Sequence, residues 1–354
     1  MTRGIAPLAL GYLNFDRQIR IAGVILNKVG GPRHEAKLRA ALEHYTDLPV
    51  LGSIARDRAL EIPERHLGLV PTNEAGEAEA TIERLCRAAT DNIDLDRIFG
   101  IARTAEGPRV TPAPAPAIAA QASDIRIGIA RDAAFGFYYP DDLEALERAG
   151  AELVPVDCLE DDRLPDIDGL LIGGGFPETQ MAALEANRPM LDSIRRAIED
   201  GLPTYAECGG LLYLSRSLTW RGETREMVGV IPGDAVMHAR PQGRGYAVLE
   251  ETGAGPWPLP QSKTGVPARF PAHEFHYASL ENLPRGVNYA WRVARGHGLD
   301  GQHDGIVLGN LLAGFCHLRD VEGDHWTSRF AAFIRQCRRR GGCSTPIRKP
   351  AAAG

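Results

Sequence analysis

Residues 203–214 read PTYAECGGLLYL, and this stretch decides the fold. Pro203 to Glu207 has the aromatic and small apolar character of a short buried strand, and Cys208 stands at its end. Gly209 and Gly210 then open an apolar helix. A strand that turns into a helix at a thiol, with small residues beside it, makes a nucleophile elbow. Glycines permit the tight turn, and the helix N-terminus favours a thiolate over a thiol. A buried cysteine packing beneath a helix is the plainer fate of an isolated cysteine, but the Gly-Gly pair outweighs it.

Working outward, 125–130, 151–156 and 169–172 read as short buried strands, with helical periodicity at 141–149 and 178–200. Such alternation is the pattern of a doubly wound α/β domain. Residues 227–318 change to short strands punctuated by glycine and proline, and 326–339 closes as an amphipathic helix. Upstream, the proline- and alanine-rich stretch 108–123 (TPAPAPAIAA) has neither period and reads as an extended linker. Before it, 19–29 is strand-like, 35–45 amphipathic and 48–54 strand-like again, which is also α/β. The expected organisation is a first domain over 1–107, the linker, a second domain over 124–340 and a tail over 341–354.

With 354 residues, 44% apolar and 24% charged, the chain has material for two globular cores. A net charge of −6 without massed lysine or arginine excludes a nucleic-acid or membrane-surface footprint. No apolar run reaches the roughly 20 residues that span a bilayer, and no signal-peptide order opens the chain, so the expected location is the cytoplasm. The six cysteines form no CxxC pair, which argues for free thiols rather than zinc or disulfides.

The run YAECGGLLYL, with DGLLIGGGFPE upstream and PAHEFHY downstream, resembles the cobyrinate a,c-diamide synthase family. That family joins a class I glutamine amidotransferase domain, flavodoxin-like in fold, to a P-loop domain similar to dethiobiotin synthetase. TRGIAPLALGY, GVILNKVGGPRHEAKLRAALEHY, LPVLGSIARD and ERHLGLVPTNE extend the resemblance over nearly the whole chain. It implies that Cys208 attacks the side-chain amide of glutamine to give a glutamyl thioester and ammonia. The oxyanion would be held by backbone N–H groups of Gly174 and Gly175, in the glycine run 173–175, together with Gly209. An ordinary tight turn at 173–175 is compatible with that role.

The family pattern places the base at His317, in GFCHLRD, with its neighbour Cys316 facing the core. Many class I amidotransferases carry a glutamate two positions beyond the histidine. Here Arg319 occupies that place and Asp320 follows, so Asp320 is a possible orienter and a Cys-His dyad remains open. His273, Glu274 and His276 lie within PAHEFHY. Phenylalanine, tyrosine and proline favour a strand there, which would send neighbouring residues to opposite faces and argues against a metal site. Glu274 and His276 are expected to shape the site, a satisfied core histidine being the alternative.

For the first domain the resemblance implies ATP and Mg2+, used to activate a carboxylate as an acyl phosphate. The sequence holds no GxxxxGK[ST], and the synthetase half resembles the later part of such a domain. Asn27 and Lys28 correspond to a loop that reads the nucleotide base, although Asn27 is equally suited to capping the following turn. Residues 64–69 and 71–74 match family segments that line the nucleotide or macrocycle site. The implied partners are glutamine and a corrinoid carboxylate, with a P-loop-bearing chain or a second copy as further candidates. The same chemistry on sirohydrochlorin, siroheme or a nickel tetrapyrrole, or a glutaminase or interaction subunit without its own synthetase activity, stays open.

Overall fold

The computed structural model describes residues 1–62, 64–65, 68–69, 78–105, 107, 123–259 and 265–340. The proposed linker, apart from Ser123, lies outside them, as do the tail over 341–354 and the segments at 66–67 and 71–74. The chain divides into two compact units, Met1–Ala115 and Pro116–Gly354.

The first unit runs α1 (Ile5–Phe15), β1 (Val24–Val29), α2 (Pro32–Tyr45), β2 (Val50–Ala55), a 3-10 turn (Arg58–Leu60), β3 (Glu64–Arg65), β4 (Gly68–Leu69), α3 (Ala78–Asn92) and α4 (Leu95–Arg103). β1 and β2 pair in parallel, and α2 makes the crossover that parallel neighbours need. Its core is small, with Leu26 and Val29 of β1 against Leu38 and Leu42 of α2. The strand expected over 19–29 begins only at Val24.

The second unit contains β5 (Ile125–Ala130), β6 (Phe135–Phe137), α5 (Pro140–Arg148), β7 (Ala151–Val156), β8 (Gly169–Ile172), β9 (Gly174–Gly175), α6 (Pro177–Ala186) and α7 (Arg188–Glu199). It continues with β10 (Thr204–Glu207), α8 (Gly209–Leu214), β11 (Ser215–Trp220), β12 (Glu223–Glu226), β13 (Ile231–Met237), β14 (Gly243–Glu251) and β15 (Arg269–His276). The last elements are β16 (Ala278–Glu281), β17 (Asn288–Arg295), β18 (His303–Leu308), β19 (Leu311–Gly314) and α9 (Trp326–Arg339). A nine-stranded sheet in the order β15-β14-β17-β18-β19-β10-β8-β5-β7 forms its centre. β19, β10, β8, β5 and β7 run parallel, and the remaining four strands extend the sheet antiparallel.

Parallel strands carry helices on both faces and so are buried on both. β8, β10 and β19 are buried at every position. α6, α7 and α8 contribute to one apolar core through Leu184, Ile194 and Leu211, and α9 to the other through Trp326, Phe330 and Ile334. This is the doubly wound α/β architecture that the strand pattern implies, with an antiparallel extension. A separate sheet, β12-β11-β13-β16, flanks it.

The single helix expected over 178–200 is two helices. Asn187 ends α6 and caps α7 by accepting from the Met190 N–H. Its amide donates to the carbonyls of Cys158, Leu159 and Asp161. Pro189 then fits the first turn of α7, where its missing N–H costs nothing. Among the described residues no helix is long and apolar enough to cross a membrane.

Candidate active site

Parallel β10 and β19 lie side by side, with Glu207 opposite Gly314. Groups just beyond the carboxyl ends of two such strands are therefore brought together, as in other open α/β sheets. Cys208 follows β10 and His317 follows β19 by three residues.

Cys208 has φ 47° and ψ −99°, a backbone conformation that costs a side-chain-bearing residue about 1–3 kcal/mol. The surroundings hold it there. Its N–H donates to the Gly314 carbonyl at 2.8 Å, and the Gly210 N–H donates to the Gly173 carbonyl at 3.1 Å. A methyl on Gly209 would fall 2.9 Å from the Gly175 nitrogen, so the elbow and the glycine run pack backbone to backbone. The strand-turn-helix reading of PTYAECGG thus corresponds to the geometry, with α8 beginning at Gly209.

β9 is held against β6, with Gly175 opposite Phe135 and Gly174 opposite Phe137. The Gly173 N–H donates to the Tyr138 hydroxyl, which donates to the Ala130 carbonyl at 2.6 Å. Gly174 sits against the base: a methyl there would lie 2.9 Å from Cε1 of His317. Gly174, Gly175 and Gly209 are thus gathered around Cys208 and His317. Gly209 opens the first turn of α8, where helix N–H groups have no intrahelical acceptor.

His317 is mostly buried, its side chain 15% exposed. Burial alone would lower its pKa, but hydrogen bonds to Cys208 and Glu207, and the negative charge on both, raise it well above the ordinary histidine value. Nδ1 lies 3.1 Å from Oε2 of Glu207, the residue directly before Cys208. The carboxylate beside the base is therefore not Asp320. Asp320 accepts from the Thr327 N–H at 3.2 Å and from the Thr327 hydroxyl, and bonds Nδ1 of His325 at 2.9 Å. These bonds tie it to the start of α9, while Arg319 pairs with Asp141 at 2.8 Å.

The strand expected at PAHEFHY is β15, and it presents His273, not Glu274 or His276, to His317. His273 and His317 exchange both backbone hydrogen bonds, at 3.1 and 2.7 Å. Glu274 accepts from the N–H groups of His297 and Gly298 at 2.7 and 2.8 Å. Its Oε2 lies 4.0 Å from the buried thiol of Cys316, whose pKa burial pushes up. The His276 ring stacks on Phe315 at 3.9 Å, and its Nδ1–H donates to the Ala278 carbonyl. The polar contacts of Glu274 and His276 thus run to the 297–298 turn, to Cys316 and to Ala278.

In the first unit, Asn27 and Lys28 belong to the end of β1. Oδ1 of Asn27 accepts from the Lys28 N–H at 2.8 Å, and Lys28 has φ 56°. With His34 and Arg56 they line a cleft of about 560 Å³ whose walls include Leu8 and Tyr12. The side-chain carbonyl of Asn27 is engaged locally, as a turn cap would be. The phosphate and magnesium ligands of a GxxxxGK[ST] loop are not among these 354 residues, so the residues present do not fit the nucleotide's phosphates. Among the described residues no three His, Cys, Asp or Glu side chains converge as a metal site would require.

Residues 126–321 match the family model described as a CobB/CobQ-like glutamine amidotransferase domain. Residues 4–70 match the CobQ/CobB/MinD/ParA nucleotide binding domain. Cobyrinate a,c-diamide synthase of Magnetococcus marinus is 44% identical over 351 residues, covering 98% of this chain and 73% of that protein. The proteins of that name from Methanosarcina acetivorans and Listeria innocua are each 40% identical. They cover 91% and 88% of this chain and 67% and 68% of their own lengths. The chain belongs to the cobyrinate a,c-diamide synthase family, whose members are glutamine-hydrolysing ligases.

Proposed function

We propose that Cys208 and His317 release ammonia from glutamine for amidation of the a and c acetate carboxylates of cobyrinate. The observation that carries this reading is the strained Cys208 elbow hydrogen-bonded to an imidazole whose far nitrogen rests on a carboxylate. The names of the similar proteins supply the acceptor.

In this reading His317 holds the thiol proton, and the Sγ thiolate attacks the amide carbon of glutamine. The oxyanion lies against the N–H groups of Gly209 and of Gly174 or Gly175, and such a donor is worth roughly 3–4 kcal/mol in the transition state. His317 returns the proton to the departing nitrogen, leaving ammonia and a γ-glutamyl thioester. Water then attacks the thioester with His317 as base, restoring the thiol and freeing glutamate. The residues described here act on the glutamine side, and the phosphate and Mg2+ ligands that activation of the acceptor carboxylate requires are not among them.

The test is release of 15N-ammonia from amide-labelled glutamine by the full chain, and transfer of that label to cobyrinate when a P-loop-bearing partner chain, ATP and Mg2+ are supplied with it. Labelled mono- and diamide absent in Cys208→Ala support the reading. Wild-type glutamine hydrolysis with sirohydrochlorin amidated and cobyrinate left unchanged would move the substrate assignment to another tetrapyrrole.

A further inference from the structure

We propose that Glu207 is the positioning residue for His317, so that one strand end supplies both the nucleophile and the carboxylate that orients its base. The inference rests on the reading of Cys208 and His317 as a glutamine-hydrolysing pair. It departs from the usual search for an acid downstream of the histidine.

With Nδ1 against Oε2 of Glu207, the ring nitrogen left to meet Cys208 is Nε2. Glu207 thereby selects the tautomer that can accept the thiol proton, which is what the third member of a triad does. Its carboxylate is held from other sides. Oε1 accepts from the Tyr205 hydroxyl at 2.6 Å and from the Leu318 N–H at 2.9 Å. Leu318 adjoins His317, so a single carboxylate fixes the base through both its ring and its backbone.

Tyr205 is fully buried, with its ring 5.2 Å from Trp257 and 5.1 Å from Trp326. Burial, and then the charge of Glu207, raise its hydroxyl pKa and keep it a donor. Two of the acidic side chains downstream of the base are engaged elsewhere: Asp320 with Thr327 and His325, and Asp324 with Arg329. A carboxylate at 207 serving only to anchor Tyr205 and Leu318 would need no charge. Its third contact, to the imidazole, is the one that does.

Other titratable groups face this pair. They are Cys208, His273 from β15, Asp142 from α5, Tyr138 and Cys316. Asp142 is pushed up to about 6 chiefly by burial, with Glu207 adding to it, so it contributes its own step to any pH profile. A direct readout on His317 is therefore needed beside activity.

Glu207→Gln keeps an acceptor for Tyr205 and Leu318 while removing the charge. In the full chain, glutamate release and the NMR titration of 13C-labelled His317, assigned with His317→Asn, are measured together. The expected result is a fall in kcat on the order of 100-fold or more. KM for glutamine should change little, and the His317 midpoint should move down. Unchanged turnover and midpoint would overturn the proposal, and so would lost turnover with an unmoved midpoint, which marks a purely structural role. If Glu207→Gln does not fold, Glu207→Asp, which retains the charge, should keep a raised midpoint, and a midpoint at the ordinary histidine value would overturn the proposal. Wild type inert toward glutamine would defeat the glutaminase reading itself, while the titration would still decide whether Glu207 orients the ring.

Discussion

Gly174 and His317 meet so closely that a methyl on the glycine would lie 2.9 Å from Cε1 of the imidazole. Real Cβ contacts do not sit that near, and the backbone of Gly174 is pinned by its pairing with Phe137. The ring must therefore give way. Gly174→Ala is expected to lower kcat for glutamine hydrolysis about 100-fold, as a displacement of roughly 1 Å does in a catalytic pair. Thermal unfolding should change little, and the two measurements together separate a misplaced base from a damaged fold.

Asp142 carries a prediction about pH. Its buried carboxyl bonds the Asp320 N–H and the Trp326 indole N–H, and titrates at about 6 against an ordinary value of 3.8. Between those values the folded state binds the proton that the unfolded state has released, so stability falls as pH rises from about 4 to 6. The loss is up to about 3 kcal/mol. Asp142→Asn removes this slope at the cost of the indole bond. Its melting temperature relative to wild type should rise steadily between pH 4 and 7, and a constant difference would contradict the assignment.

Asp320 should prove structural. It joins the segment after His317 to the first turn of α9 through Thr327 and His325. Asp320→Ala should destabilise the protein by about 1 kcal/mol, the usual cost of a lost helix cap, and leave glutamate release at saturating glutamine largely intact. A loss of kcat comparable to that of His317→Ala, without unfolding, would restore Asp320 as an orienter.

Cys208 and the glycine run could be singled out because each rests on a local pattern, whereas His317 was placed by the resemblance to the family. Cys208 ends a strand before two glycines, Gly174 and Gly175 follow one, and the strand over Thr204–Glu207 is within one residue of its sequence reading. Glu207 was not legible, because strand alternation describes which face a residue takes and not which neighbour's side chain it will find there. Only the parallel pairing of β10 with β19 brings it to His317. The same limit hid His273, whose partner lies 44 positions away and is reached through a backbone bridge. The break at Asn187 escaped because apolar periodicity runs on through it, whereas the bonds that fix its side-chain amide reach Cys158, Leu159 and Asp161, far back in the chain.

That break gives a further expectation. Asn187→Ala removes the cap of α7 and three hydrogen bonds to the loop after β7. A destabilisation of about 2 kcal/mol is expected in denaturant titrations, since each lost bond leaves a carbonyl short of a donor. A change below about 0.5 kcal/mol would show that water replaces the amide at no cost.

The central claim is that Cys208 is the nucleophile that meets the glutamine side chain. Reaction of the full chain with 6-diazo-5-oxonorleucine, a glutamine analogue with an electrophilic carbon, followed by peptide mass mapping, tests it without needing the acceptor. A single adduct on Cys208, suppressed by excess glutamine and lost in Cys208→Ala and His317→Ala, is the predicted result. No adduct, or labelling spread over Cys86 and the other thiols and indifferent to glutamine, would contradict the account.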